Sequence, residues 1–216
     1  MNKLINIKGA IFDMDGTLID SMGIWDNVAC DFLKTEGIVA RSDLGEVLKS
    51  MSMQQGADYV IKEYSLNAST QEIITGVNAL IASKYEQELL AKEGVIELVE
   101  SLETLGVRMC VATASDYHLA EKCLERIGIK RYLEGIYTCG DIQAGKDNPK
   151  LFEHAMEKLG TTKEDTYIFE DSLYAIETAK KTGFKVVAVY DESSKKDWDK
   201  IKEMADICVT TMNELL

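Results

Sequence analysis

Proline is almost missing from this chain. Pro149 is the single one in 216 residues, which excludes a proline-rich linker and leaves periodicity to mark the organisation. Basic residues are in deficit, with 24 Lys and Arg against 37 Asp and Glu and a net charge of −13. That balance disfavours nucleic acid and anionic membranes as partners. No run approaches the ~18 apolar residues of a membrane helix. The N-terminal run Ile7–Phe12 stops at Asp13 with no cleavage pattern, so a cytoplasmic location is expected. Five scattered cysteines, Cys30, Cys110, Cys123, Cys139 and Cys208, form no CxxC. An odd count so placed argues against a disulfide framework or a zinc site, and reads as small buried hydrophobes. Histidine is scarce too: His118 and His154 fall on expected outer helices, with no Ser-His-Asp or Cys-His arrangement.

What is present suffices for a core, since 46% of the residues are apolar. The length fits one large domain, or one domain with a smaller insert. Short apolar runs at Lys8–Phe12, Val107–Ala112, Ile136–Cys139, Thr166–Phe169 and Lys185–Val189, with a weaker one near Asp206–Val209, predict strands. Helical patterns at Asp116–Ile127, Lys150–Leu159, Leu173–Thr182 and Lys195–Met204 alternate with the later ones, as in βαβ units with a parallel sheet. Between 18 and 91 the rhythm breaks into helix after helix: Met22–Glu36, Asp43–Ser50, Met53–Tyr64 and Thr70–Leu90, the last opened by a Ser69/Glu72 capping box. Gly94 opens a further helix, Val95–Leu105, and Gly106 closes it. The expected fold is α/β, a parallel sheet flanked by helices in a Rossmann-like core (1–17 and 92–216), with a small all-helical cap (18–91) inserted after the first strand.

Carboxylates, hydroxyls and one lysine collect where the strands end. Asp13-Met14-Asp15-Gly16-Thr17 follows the first strand directly. Carboxylates at i and i+2 in a turn can face one site, and Gly16 permits a sharp turn close to a bound anion. Simple turn or cap roles compete with this reading. A calcium loop does not, because Leu18 and Ile24 stand where it needs Gly and Glu. Thr113 and Ser115 follow the second strand, Lys146 the third, and Glu170 and Asp171 the fourth. Each is weak singly. Together they are hard to explain by folding needs, since clustered carboxylates repel unless a cation holds them. Gly140–Lys146 reads GxxxxGK, but Asp147 stands where a nucleotide-binding P-loop needs Ser or Thr, and Pro149 starts the helix too late.

In order and spacing these segments resemble the haloacid dehalogenase superfamily, in the helical-cap branch that includes β-phosphoglucomutase and many small sugar-phosphate phosphatases. Asp13–Thr17 is similar to its first motif, Val111–Ser115 to its second, Gly145–Pro149 with Phe152 to its third and Phe169–Ser172 to its fourth. The cap is similar only in position and helicity. The resemblance implies that Asp13 is the nucleophile, forming an aspartyl-phosphate. Asp15 would protonate the leaving oxygen and then activate water. It also implies Mg2+ held by Asp13, the Asp15 carbonyl, Asp171 and, directly or through water, Glu170. Thr113 would bind a phosphate oxygen with the backbone N–H groups of Asp15 and Ala114, and Lys146 would stand as a fixed charge toward Asp13 and the phosphate. Gly16, Ala114 and Ser115 are candidate substrate contacts in the core. Trp25, Ser52 and Gln54 are candidates in the cap, although Trp25 reads more readily as cap core on the Met22–Glu36 helix. Asp147 departs from the proline usual after the lysine, and is expected to point away.

The implied activity is that of a Mg2+-dependent phosphatase acting on a small phosphorylated metabolite, as a monomer without nucleic-acid or membrane partners. The acid at Asp15 separates it from the dehalogenases. In β-phosphoglucomutase a cap histidine lies twelve residues after the nucleophile; Trp25 occupies that position here, and Thr17 replaces a valine. A sugar-phosphate mutase is therefore the alternative, and a non-catalytic binding module of the same fold a second one.

Overall fold

Strands form where the apolar runs predict them, within a residue or two at each end. They are β1 (Gly9–Phe12), β2 (Arg108–Thr113), β3 (Ile136–Thr138), β4 (Thr166–Glu170), β5 (Lys185–Val189) and β6 (Ile207–Val209). The computed structural model describes residues 4–48, 51 and 53–216, without the side chains of Trp25, Asp26 and Glu46. All six strands join one parallel sheet in the order β3-β2-β1-β4-β5-β6. Parallel neighbours need long crossovers, and helices supply them. The helices are α1 (Met22–Thr35), α2 (Leu44–Leu48), α3 (Met53–Tyr64), α4 (Thr70–Gln87), α5 (Val95–Thr104), α6 (Tyr117–Arg126), α7 (Cys139–Ile142), α8 (Lys150–Leu159), α9 (Leu173–Lys181) and α10 (Trp198–Met204). Among the described residues no helix is long and apolar enough to cross a membrane.

The central strands are apolar throughout because both faces are covered. On one face Ile11, Ala112, Ile168 and Val186 join Leu151, Phe152 and Leu159 of α8 and Ile176 of α9 in one cluster. On the other, Phe12 lies opposite Phe169 across the β1/β4 pair, ring centroids 4.4 Å apart. Burying a large side chain of this kind stabilises by about 1.5–3 kcal/mol. β1 and β4 flank the point where the strand order reverses, and their carboxyl ends form the crevice in which open α/β sheets bind ligands.

The chain divides into two compact units, one of residues up to Asp20 with Leu89–Leu216, the other Ser21–Glu88. The boundaries expected at 17 and 92 fall a few residues away for a visible reason. Ile19 bridges Ala91 antiparallel, the Asp20 N–H donates to the Leu90 carbonyl (3.1 Å) and the Lys92 N–H to the Leu18 carbonyl (2.9 Å). Both crossing segments are thus stitched into the sheet unit.

In the helical unit, Leu33, Leu44 and Val60 form a buried centre for α1, α2 and α3. The Ser69/Glu72 capping box opens α4, as the sequence predicts. Met51 and Met53 line an apolar cavity of about 400 Å³ with Met22, Phe32 and Val60. Gln54 is exposed on α3. Ser52 and the side chain of Trp25, two expected substrate contacts, lie outside the described residues.

Candidate active site

The residues after β1 are folded into a tight loop by one acceptor. The Met14 carbonyl takes the N–H groups of Thr17, Leu18 and Ile19, and Gly16 adopts φ 82°, the left-handed conformation that glycine accepts without strain. Asp13, whose N–H donates to Phe169 of β4 at 2.9 Å, is only 4% exposed. From the end of β4, Glu170 and Asp171 come to the same place, both 1% exposed. Lys146 reaches it from the segment between α7 and α8, buried, its ammonium donating to Asp13 Oδ1 and, at 2.8 Å, to Glu170 Oε2. Asp147, next to it, is exposed.

Carboxylate oxygens of Asp13, Glu170 and Asp171 all lie within 4.8 Å of one another. Among the described residues, three carboxyl groups thus crowd together beside the one ammonium of Lys146, and full ionisation of all three would leave negative charge that Lys146 alone does not balance. Burial and then the charge of Glu170 push the Asp13 carboxyl up from 3.8 to about 7, although Lys146 opposes this. The same two causes push Asp171 up to about 9. On Lys146 burial acts the other way, and the carboxylates of Asp13 and Glu170 outweigh it, raising the ammonium. Asp13 Oδ2 is buried with no hydrogen-bond partner. Such an orphan costs about 1–3 kcal/mol. An oxygen-only donor set, two carboxyls pushed upward by burial and by the neighbouring charge of Glu170, and an orphaned carboxylate oxygen fit a hard divalent cation.

Around this centre, Asp15 is half-buried and accepts from Ser115 Oγ at 2.6 Å. Thr113, the buried last residue of β2, accepts the Ser115 N–H on Oγ1 at 3.0 Å. Ala114 is exposed beside them. The structure therefore groups Asp13, Lys146, Glu170 and Asp171 in one cluster and links Asp15, Ser115 and Thr113 in another. His118 is exposed; His154 is half-buried and meets Tyr137 edge-on at 5.2 Å.

Sequence reasoning passed over the end of β5. Asp191, buried there, accepts the Ser193 N–H and Oγ on Oδ1 at 3.0 and 2.7 Å. Ser194 Oγ contacts Asp171 Oδ2 at 3.4 Å, and Ser172 Oγ contacts Asp171 Oδ1 at 3.2 Å. The strand-end rule that located the other groups, applied to the fifth strand, points to Asp191.

A family model described as haloacid dehalogenase-like hydrolase matches residues 10–189. The chain is 26% identical over 212 residues to hexitol phosphatase B of Escherichia coli, covering 97% of this chain and 94% of that protein. It is 22% identical over 179 residues to the phosphorylated carbohydrates phosphatase of Thermotoga maritima, covering 83% of each. In fold it is similar to a crystal structure from Thermotoga maritima assigned provisionally as a β-phosphoglucomutase, with a TM-score of 0.86 at 21% identity over 97% of both chains. It is also similar to the phosphate complex of CbbY from Rhodobacter sphaeroides, with a TM-score of 0.74 at 18% identity over 97% and 96% of the two chains. With the family model covering most of its length, from β1 to the end of β5, the chain is an enzyme of the haloacid dehalogenase-like hydrolase family.

Proposed function

We propose that this enzyme hydrolyses a small phosphate monoester, with Mg2+ as cofactor, through an aspartyl-phosphate on Asp13. The observation that carries the reading is the buried Asp13 carboxylate, held on one oxygen by Lys146, unpartnered on the other, and grouped with Glu170 and Asp171. Asp13, Glu170 and Asp171, with the Asp15 carbonyl, would hold the magnesium ion, which when bound supplies positive charge against the three carboxylates and the transferring phosphoryl group.

The side chains divide the chemistry. An Asp13 carboxylate oxygen attacks phosphorus, and the bond from phosphorus to the ester oxygen breaks. Asp15 gives its proton to that oxygen, so the leaving group departs as a neutral alcohol. Water then attacks the phosphorus of the aspartyl-phosphate. Asp15, now a carboxylate, takes the water's proton, and phosphate leaves with Asp13 restored. Ser115 fixes the Asp15 carboxyl through its 2.6 Å hydrogen bond. Lys146 keeps Asp13 oriented and adds a fixed charge beside the phosphoryl oxygens. Thr113, Ala114 and Gly16 stand at the ends of the flanking strands as phosphate contacts. The named relatives act on hexitol phosphates and phosphorylated carbohydrates, which favours a phosphorylated sugar or polyol as substrate.

The test is phosphate release from a panel of sugar, polyol and nucleoside monophosphates, with magnesium and with chelator. Release only with magnesium is expected. Asp13→Asn should abolish it while leaving the folded circular-dichroism spectrum intact. Turnover retained by Asp13→Asn would remove the nucleophile assignment. Isomerised sugar phosphate formed only with a bisphosphate primer would replace hydrolysis by mutase chemistry.

A further inference from the structure

Lys92 lies in the segment that returns to the sheet unit, one residue after Ala91 bridges Ile19. A lysine in a loop is ordinarily a solvated charge. This one is half-buried, and its ammonium has three donors, matched by three acceptors: the Gly16 carbonyl at 2.7 Å, the Tyr190 carbonyl at 2.8 Å and Asp191 Oδ2 at 2.9 Å. Gly16 belongs to the loop after β1, Tyr190 and Asp191 to the loop after β5. Those strands are not neighbours; β4 runs between them, and its end carries Glu170 and Asp171. The chain of contacts continues from Asp191 to Ser193 and, through the adjoining Ser194, to Asp171. Lys146, not Lys92, is the cation bonded to Asp13.

We propose that Lys92 is a positioning residue that ties the Asp13–Thr17 loop to the loop after β5 across the end of β4, and so sets the spacing of the Asp13 and Asp171 carboxylates. Two backbone carbonyls in different loops accept from a single nitrogen, so the loops cannot separate without unbonding a half-buried charge. Asp191 holds the other side. Burial would raise its carboxyl, and the hydrogen bonds from Lys92 and Ser193 outweigh burial and keep it low. The pair is thus held at both ends, Asp191 by Lys92 and Ser193 and the Lys92 ammonium by the Gly16 and Tyr190 carbonyls. A group that orients metal ligands this way changes metal affinity or activity by about 10–100-fold when lost.

The inference rests on the magnesium phosphatase reading, and the experiment separates the two. Wild type, Lys92→Met and Asp171→Asn are titrated with magnesium alone, no ester present, following the melting temperature. Asp171→Asn gives the baseline for weak surface binding. Lys92→Met, which keeps the stem and removes the donors, should need about tenfold more magnesium for half of the shift. At saturating magnesium its kcat should fall about tenfold, with the ester KM within about twofold of wild type. A purely structural tie would lower the melting temperature and move neither the magnesium midpoint nor kcat. Folded Lys92→Met with both within about twofold of wild type overturns the proposal. Should Lys92→Met fail to fold, Asp191→Asn, which leaves the two carbonyl bonds in place, decides by its magnesium midpoint: a rise of about threefold or more supports the tie, and no change overturns it. Wild type that binds magnesium but releases phosphate from no ester sinks the phosphatase reading while the midpoints still judge Lys92. Wild type with no magnesium response sinks both.

Discussion

Asp13 and Asp171 hold their protons more tightly in the folded chain than in the unfolded one, Asp13 up to about 7 and Asp171 up to about 9 against 3.8. Between the ordinary value and each raised one, the folded state binds more protons, so stability falls as pH rises through that window. Metal-free protein should therefore melt lower at pH 8 than at pH 5. Magnesium should recover the loss at pH 8 and do little at pH 5, where Asp13 and Asp171 are protonated. Calorimetry in chelator and in magnesium checks this, and a melting temperature flat between the two pH values without metal would contradict it. Asp171→Asn removes one of the repelling acids. Without metal at pH 8 it should be more stable than wild type by about 1–2 kcal/mol, and it should lose the magnesium response.

Ser115 offers a test on the chemistry itself. Its hydrogen bond to Asp15 orients the acid that protonates the leaving oxygen. Ser115→Ala should slow the first, phosphorylating step on an alkyl phosphate by about 10- to 100-fold in single-turnover measurements. With p-nitrophenyl phosphate, whose leaving group needs no proton, the loss should shrink to a few-fold. Equal losses on both esters would assign Ser115 to phosphate binding alone.

Among the elements, strands and long helices were legible where burial is two-sided or periodic. β5 and α8 begin and end where the apolar pattern does. Deviations have local causes. α4 stops at Gln87 rather than Leu90 because 90–92 are taken by the pairing with 18–20. α10 starts at Trp198 rather than Lys195 because Asp191 first captures the Ser193 N–H in a separate turn. α7 has four residues, capped by Thr138 accepting the Asp141 N–H. Four residues are too few to show a period. The site's acids were legible because each stands at a strand end or within a short loop past it. Lys92 was not, since nothing in its neighbours distinguishes a three-acceptor lysine from a solvated one.

Two element ends yield contrasting predictions. Ser69→Ala removes the capping box at α4 and should cost about 1 kcal/mol in urea unfolding. Gly94 before α5 has φ 80°, and a Cβ there would lie 2.5 Å from the backbone nitrogen of Asn213. Gly94→Ala combines left-handed strain with a clash that no side-chain rotation relieves, so it should cost about 2–4 kcal/mol, several times the Ser69 loss. Equal effects would mean that the C-terminal turn at Asn213 yields easily.

For the whole molecule, the decisive feature is how the chain leaves and re-enters the sheet unit. Ile19 and Ala91 are paired, and the Asp20 N–H donates to the Leu90 carbonyl. Residues 20 and 90 therefore stand opposite each other, where a two-residue turn could join them, as in a hairpin. Among the described residues, every strand, all four clustered groups Asp13, Lys146, Glu170 and Asp171, and the ties through Ser115 lie outside Ser21–Glu88. Replacing 21–89 by Asn-Gly, which keeps the Ile19/Ala91 register, should leave a chain that unfolds cooperatively and keeps the magnesium-induced rise in melting temperature, since no metal ligand has been removed. A truncated chain that folds but no longer responds to magnesium would mean that the helical unit helps hold the acids in place, and the metal centre would then belong to both units rather than to the sheet alone.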